Sequence, residues 1–320
     1  MDLKNKHLLD IASLSKEEIE DILNLAENLK EILYRPIPKV PTLRGKLIIH
    51  LFYEPSTRTR FSFERASKTL SADTLTFTGK GTSVEKGETL LDTIKNLEAI
   101  GADLFVIRHP VAGAPHFIAK YSKVPIVNAG DGTHEHPTQA LLDLLTVKEK
   151  LGTLSDLKVT IVGDIKHSRV AHSDILAFQK MGSTVWVTGP AQLLPDFKEE
   201  DYYKITKNGF KICYNLEKAI KEADVVIALR IQKERHGEAL VPSFLEYHEF
   251  FGLTPKHLEL IKENAILMHP GPINWGIELA YEMEKYPSQV ILDQVENGVA
   301  IRMAILLKLL TGEKVYESFG

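Results

Sequence analysis

A single cysteine, Cys213, occurs in 320 residues, which excludes intrachain disulfides and cysteine-only zinc sites. An excess of charge of one sign is also lacking. Lys and Arg number 39 against 43 Asp and Glu, a net charge of −4 with histidines neutral. That balance supplies no basic field for nucleic acid or for an anionic membrane surface. No apolar run approaches the roughly 20 residues that a bilayer-spanning helix needs. The opening segment MDLKNKHLLD lacks the apolar stretch of a signal peptide. Internal repeats of short period and low-complexity segments are missing too. What remains is an ordinary soluble composition, 44% apolar and 26% charged. The length suits two domains of roughly 150 residues, each with its own core. The expectation is a soluble, cytoplasmic enzyme.

The patterning that is present reads as two successive α/β halves. Ser15 with Glu18 forms a capping box, and Ile19, Ile22, Leu23, Ala26, Leu29 and Leu33 make one apolar stripe. Pro36, Pro38 and Pro41 end that helix and lead into an extended apolar run, Lys46 to Phe52. Asp103–Ile107 and Pro125–Val127 read as buried strands between amphipathic helices. From about Lys158 the alternation restarts with KVTIVGD, STVWVTG, FKICY and ADVVIAL, separated by helical patterns. The fold class expected is α/β, with two domains that each carry a parallel sheet covered by helices on both faces. Long helices link them: Pro137–Lys150 between the halves, and a last helix over about Val295–Leu310.

In open parallel sheets, ligands sit beyond the carboxyl ends of the strands. After Lys46–Phe52 comes Tyr53-Glu54-Pro55-Ser56-Thr57-Arg58-Thr59-Arg60, opening a helix that runs through Leu70. Hydroxyls, backbone N–H groups and a helix dipole at one turn can surround an anion, and Arg58 adds a planar fork for phosphate oxygens. Spacing alone leaves a capped helix start with solvated arginines as the alternative. The segment is not a Walker loop, because G-x-x-x-x-G-K-[ST] is absent.

Ser56-Thr57-Arg58-Thr59-Arg60 followed by Phe61 resembles the carbamoyl-phosphate motif of the aspartate and ornithine carbamoyltransferases. Three further segments match that family in the same order: Arg108-His109-Pro110, His136-Pro137-Thr138-Gln139 and His269-Pro270-Gly271-Pro272. The resemblance covers essentially the whole chain. Taken without it, Arg108 could be a structural ion pair, His136 a core or capping histidine, and Pro270–Pro272 a rigid turn. The string His134-Glu135-His136 is weak as a zinc signal, since it has no carboxylate or cysteine partner at a metal spacing.

The second half is expected to bind the nucleophile. Gly163–Ser173 follows the strand VTIV with a single glycine, where a nicotinamide-binding domain would need G-x-G-x-x-G. A dehydrogenase is thereby disfavoured. Arg169 is similar to the aspartate-binding arginine of the aspartate enzymes, and Arg230-Ile231-Gln232-Lys233-Glu234-Arg235 resembles their R-x-Q-x-E-R segment. Two arginines suit a dicarboxylic amino acid and would repel a dibasic one such as ornithine. Ornithine enzymes carry H-C-L-P where this chain has His269–Pro272. One departure is Trp275 in Asn274-Trp275-Gly276, where related enzymes often have Arg.

The resemblance implies carbamoyl transfer from carbamoyl phosphate to L-aspartate, with a carbamoyltransferase for another amino acid, such as ornithine, as the alternative. It implies a carbamoyl-phosphate domain over 1–137 with 293–320, and an aspartate domain over 138–292. Ser56, Thr57, Arg58, Thr59 and Arg108 would hold phosphate; Thr59, Arg108 and His136 the carbonyl oxygen; Gln139, Pro270 and Gly271 the carbamoyl NH2. Lys86, Arg169, Arg230 and Gln232 would hold aspartate, and Lys86 would also reach the phosphate. In the family, the loop corresponding to Thr78–Glu88 sends a Ser and a Lys into a neighbouring subunit. Lys86 matches the Lys, and Thr82 and Ser83 compete for the hydroxyl; composition alone reads this segment as a surface loop. The implied scheme needs no metal and no organic cofactor. The implied unit is a homotrimer, which in the family often associates further with regulatory chains or with dihydroorotase.

Overall fold

Ser15 caps the first helix as its spacing with Glu18 dictates: its hydroxyl accepts from Glu18 N, and the Glu18 side chain returns to Ser15 N at 2.8 Å. That helix, α1, spans Lys16–Lys30. The computed structural model describes residues 6–78, 87–195, 210–231 and 243–311. Within them follow β1 (Leu47–Phe52), α2 (Thr57–Thr69), β2 (Asp73–Phe77), α3 (Leu90–Ala99) and β3 (Leu104–His109). Next are α4 (Ala114–Ala119), β4 (Ile126–Asp131), α5 (Pro137–Leu151), β5 (Lys158–Val162), α6 (Arg169–Lys180) and β6 (Thr184–Thr188). The chain continues through β7 (Phe210–Ile212), α7 (Leu216–Ile220), β8 (Val225–Ala228), α8 (Phe244–Phe251), α9 (Pro255–Leu258), β9 (Ile266–Met268) and α10 (Ile291–Thr311).

Two compact units result, Met1–Leu145 with Val295–Gly320, and Thr146–Gln294. Both divisions fall inside long helices, α5 and α10, where no loop or change of composition marks them. The first unit holds a parallel sheet in the order β2-β1-β3-β4, and the second a parallel sheet in the order β7-β6-β5-β8-β9. The chain is thus α/β, with two parallel sheets and their helices.

The strands in the middle of each sheet are buried along nearly their whole length, which is why they read as continuous apolar runs. In the first unit Ile49, Leu51, Phe105, Ile107, Ile118 and Ile126 close around one another. Complete burial of a side chain such as Phe105 is worth about 1.5–3 kcal/mol. In the second unit Val162, Ile220, Val226, Leu267 and Leu279 do the same, and Trp275 packs against them. An indole in that apolar setting accounts for the missing arginine at 275.

Strand β2 has no counterpart in the sequence reading. It is an edge strand, with Asp73, Leu75 and Thr76 exposed and Thr74 and Phe77 half-buried, so it offers no clean alternation. The last helix begins at Ile291, four residues before the expected Val295, because Gln294 N bonds Val290 O at 3.0 Å and closes an extra turn.

Each sheet has one place where the strand order reverses. In the first, the chain moves outward from β1 to β2, then crosses back to β3 and β4. In the second it moves from β5 to β6 and β7, then back to β8 and β9. The crevices between the carboxyl ends of β1 and β3, and of β5 and β8, are the positions where such sheets take ligands.

Candidate active site

Ser56, Thr57, Arg58 and Thr59 follow β1 at the start of α2, and Arg108 stands near the end of β3. Ser56 is the N-cap of α2, with extended backbone at φ −161° and ψ 107°, yet its side chain makes no capping bond. Ser15, Thr89, Ser168, Asn215 and Ser243, the caps of five other helices, each accept a first-turn N–H. The first turn of α2 thus lacks the side-chain cap that those five helices have. Thr59 is buried in that same turn. Of the two arginines in this turn, Arg60 holds its guanidinium over the Phe61 ring at 4.7 Å.

Arg108 lies within β3, as its penultimate residue, and pairs in register with Phe52, the last residue of β1. Its Nη2 donates to Glu54 Oε1 at 3.3 Å and its Nη1 to Ala129 O at 3.3 Å. Glu54 follows β1 and Ala129 belongs to β4, so one guanidinium spans the ends of three strands. The ion-pair alternative for Arg108 is therefore present in part, through long contacts at the edge of hydrogen-bonding range.

A buried carboxylate shapes the turn that delivers His136. Asp131 Oδ1 accepts from Asn128 Nδ2 at 2.9 Å and from Glu135 N at 3.1 Å. Its Oδ2 accepts from Gly113 N at 2.6 Å and pairs with His134 Nδ1 at 3.1 Å. That bond raises the His134 ring above its ordinary range, against burial, which works the other way. Burial also works to raise the Asp10 carboxyl, but hydrogen bonds from His116 and Ser13 outweigh it and hold Asp10 at about 2. Among the described residues His116, Asp131 and His134 form a cluster of metal-ligand type, with atoms within 4.8 Å. Each histidine in it is committed to a carboxylate, His116 to Asp10 at 2.8 Å and His134 to Asp131.

His136 itself is buried, and Thr138 Oγ1 stands 3.5 Å from its Nδ1. One turn into α5, Gln139 Nε2 donates to both oxygens of Asp143, at 3.1 and 3.2 Å.

In the second unit the turn after β5 is tight. Gly163 has φ +133°, and a Cβ there would meet Leu229 Cβ at 3.1 Å and Tyr247 Oη at 3.2 Å. Only glycine lets this turn come so close to the segment after β8. Asp164 Oδ1 accepts from His167 N at 3.1 Å and pairs with His167 Nδ1 at 3.0 Å, and Ser168 then caps α6. Arg169 is the first residue of α6 and is buried; Arg230 follows β8 by two residues. Val162 and Ala228, the last residues of β5 and β8, are in register on neighbouring strands, so the segments leading to the two arginines leave the sheet side by side.

After β9, His269 N donates to Gln294 Oε1 at 3.0 Å, and Gly271 N donates to His269 Nδ1 at 2.7 Å. The Gly271 N–H is thereby engaged by the His269 ring. Glu278, buried, accepts from Asn274 N at 2.8 Å, Asn274 Nδ2 at 2.6 Å and Ile231 N at 2.7 Å. Thr82, Ser83, Lys86 and Gln232 lie outside the described residues. The supporting residues Asp131, Asp143, Gln294 and Glu278 carry no sequence signal, because charged and amide side chains on helices and loops ordinarily read as solvated.

Family models match in chain order. The carbamoyl-phosphate-binding domain of aspartate/ornithine carbamoyltransferase matches residues 6–149, and the Asp/Orn-binding domain matches residues 155–309. The aspartate carbamoyltransferase catalytic subunit of Syntrophobacter fumaroxidans is 52% identical over 98% of this chain and 100% of its own. That of Syntrophotalea carbinolica is 49% identical over 99% of each. Aspartate transcarbamoylase from Trypanosoma cruzi, solved in complex with carbamoyl phosphate, superposes with a TM-score of 0.89 at 30% identity, over 96% of this chain and 97% of that one. The catalytic subunit of the M. jannaschii enzyme gives 0.83 at 36% identity, over 95% and 98%. With both family domains matched over nearly the whole length, and the strand-end residues placed as they are, the chain belongs to the aspartate/ornithine carbamoyltransferase family.

Proposed function

We propose that this chain transfers the carbamoyl group of carbamoyl phosphate to the amine of L-aspartate, giving N-carbamoyl-L-aspartate and phosphate, the committed step toward pyrimidines. The carrying observation is the pair of arginines at each switch point: Arg58 and Arg108 beside β1 and β3, Arg169 and Arg230 beside β5 and β8. A phosphate ester and a dicarboxylate are the two anions that such forks accept bidentately. The relatives named above support the choice of aspartate, and a solved T. cruzi relative holds carbamoyl phosphate together with aspartate.

Ser56, Thr57, Arg58, Thr59 and Arg108 hold the phosphate. Thr59, Arg108 and His136 donate to the carbonyl oxygen as it becomes an oxyanion, and preorganised donors of this kind are each worth roughly 3 kcal/mol. His136 donates from Nε2, with its Nδ1 facing the Thr138 hydroxyl at 3.5 Å. Gln139 and the carbonyls of Pro270 and Gly271 accept from the carbamoyl NH2. Arg169, Arg230 and Gln232 fix the two carboxylates of aspartate. Its amine forms the new C–N bond, the C–O bond to phosphate breaks, and the departing phosphate takes the amine proton. No protein base is called on, and no metal or organic cofactor enters the scheme.

Lys86, with Thr82 or Ser83, completes the phosphate site of a neighbouring subunit, and the family resemblance implies that the active unit is at least a homotrimer, in the cytoplasm. The deciding assay incubates the protein with carbamoyl phosphate and either aspartate or ornithine and measures carbamoylated product. Product with aspartate and none with ornithine is expected; the reverse would reassign the acceptor, and no product would overturn the reading.

A further inference from the structure

We propose that Asp143 and Arg302 act together as positioning residues that decide which end of the Gln139 side chain meets the donor's NH2. The proposal rests on the placement of carbamoyl phosphate given above and extends it to two buried charges that the reaction scheme leaves unused.

Asp143 is fully buried on α5, one turn beyond Gln139, and both its oxygens accept from Gln139 Nε2. A carboxylate only accepts hydrogen bonds, so the carboxamide must turn its NH2 toward Asp143 and its oxygen away. An outward-facing oxygen can accept from a carbamoyl NH2. A carboxamide free to turn over would offer donors to donors in half of its arrangements.

A buried anion at that position needs a cation. Arg302, on α10, is almost entirely buried; burial pulls its guanidinium down to about 9, and the charge of Asp143 opposes that fall. It remains a cation at neutral pH. Its Nη1 donates to Ser62 Oγ at 2.7 Å, and its guanidinium carbon lies 4.9 Å from the centre of the Phe63 ring. Ser62 and Phe63 belong to α2, the helix that opens with the phosphate residues. Arg302 thus bonds to the helix of the phosphate cradle, while the charge of Asp143 acts on its guanidinium.

The chain makes room for this contact at a cost. Gly298 stands one turn before Arg302 in α10, and a Cβ on it would come within 2.5 Å of Arg302 Nη1 and 3.3 Å of Leu142 Cδ2. Glycine inside a helix is about 1 kcal/mol less favourable than alanine. Here it seats the guanidinium against α2 and α5.

The test compares two ligands that differ only at the group Gln139 is held to meet. Carbamoyl phosphate carries NH2 where acetyl phosphate carries CH3. Binding of each to the full chain is measured by calorimetry for the wild type, Asp143→Asn and Arg302→Gln. The wild type should prefer carbamoyl phosphate. Asp143→Asn should weaken carbamoyl phosphate by about tenfold, the scale of one well-oriented hydrogen bond, while acetyl phosphate changes by less than about twofold. Should Asp143→Asn fail to fold, Arg302→Gln, which removes the cation but keeps a donor toward Ser62, carries the test, with the same selective loss expected. Equal weakening of both ligands, or of neither, in a folded variant would overturn the positioning role. A wild type that binds neither ligand would instead overturn the functional reading on which the proposal stands.

Discussion

Glu278 Oε1 accepts the backbone N–H of Ile231 at 2.7 Å, joining the residue after Arg230 to the segment that follows Pro270–Pro272. Burial pushes the Glu278 carboxyl above its ordinary range, against the bonds from Asn274 and Ile231 that favour the anion. Because all three groups facing it are donors, Glu278→Gln turns at least one amide hydrogen against another donor. The expected result is a loss of about 1–3 kcal/mol in denaturant unfolding. The KM for aspartate should rise while carbamoyl phosphate binding holds. Unchanged aspartate kinetics in a destabilised variant would confine Glu278 to stability.

His50 gives a pH dependence whose sign can be worked out. Burial in β1 lowers its pKa to about 4 from the 6.5 of an unperturbed imidazole, and its ring contact is Ser67 Oγ at 3.3 Å. Below pH 6.5 the unfolded chain takes up a proton that the folded chain refuses, so stability is intact above 6.5 and falls as pH drops toward 4. The loss is about 2 kcal/mol between pH 6.5 and 5. His50→Gln should shrink the difference between urea unfolding free energies at pH 7 and pH 5 by about that amount. An unaltered difference would mean that His50 titrates normally.

Arg230→Ala tests the division of labour between the halves. Removing one fork of charge-assisted bonds should raise the KM for aspartate by about ten- to a hundredfold. Calorimetric binding of carbamoyl phosphate alone should stay within about twofold. Comparable losses for both substrates would place Arg230 in the wrong role.

A shared site makes a prediction that no single variant can. Arg58→Ala and Lys86→Ala should each fold and be nearly inactive, losing about 10²- to 10³-fold in turnover. When the two are dissociated, mixed and reassembled, some sites combine an intact cradle with an intact loop from another subunit, and activity should return. Silence in mixtures shown to contain hybrid trimers would put Lys86 back in its own chain.

Much of the fold was legible because the strands that matter are buried on both faces and flanked by capped helices. Ser15 with Glu18, and the run Lys46–Phe52, declare themselves through spacing and apolarity alone. Strand β2 does not, since an edge strand has no buried face to write into the pattern. The residues proposed to meet substrate stand out for a different reason: hydroxyls and arginines crowd the ends of strands, where ordinary turns would hold Gly, Asn or Asp. The residues that hold them do not. Asp143 and Arg302 lie far apart in sequence on helices whose patterns leave any charged position looking solvated, and Glu278 sits in what reads as an irregular segment. Burial of a charge is decided by what packs above it, which no single helix records.

The two reversals of strand order carry a consequence for descent. In the proposed scheme the donor is held by residues at 56–59, 108, 136–139 and 270–271, and the acceptor by short stretches downstream of β5 and β8, residues 163–169 and 229–231. A lineage can exchange its acceptor by rewriting the latter stretches, leaving untouched the apolar strands that set the fold and the residues that hold the donor. Shared ancestry of aspartate and ornithine enzymes under one pair of domains is the kind of branching that such a layout permits.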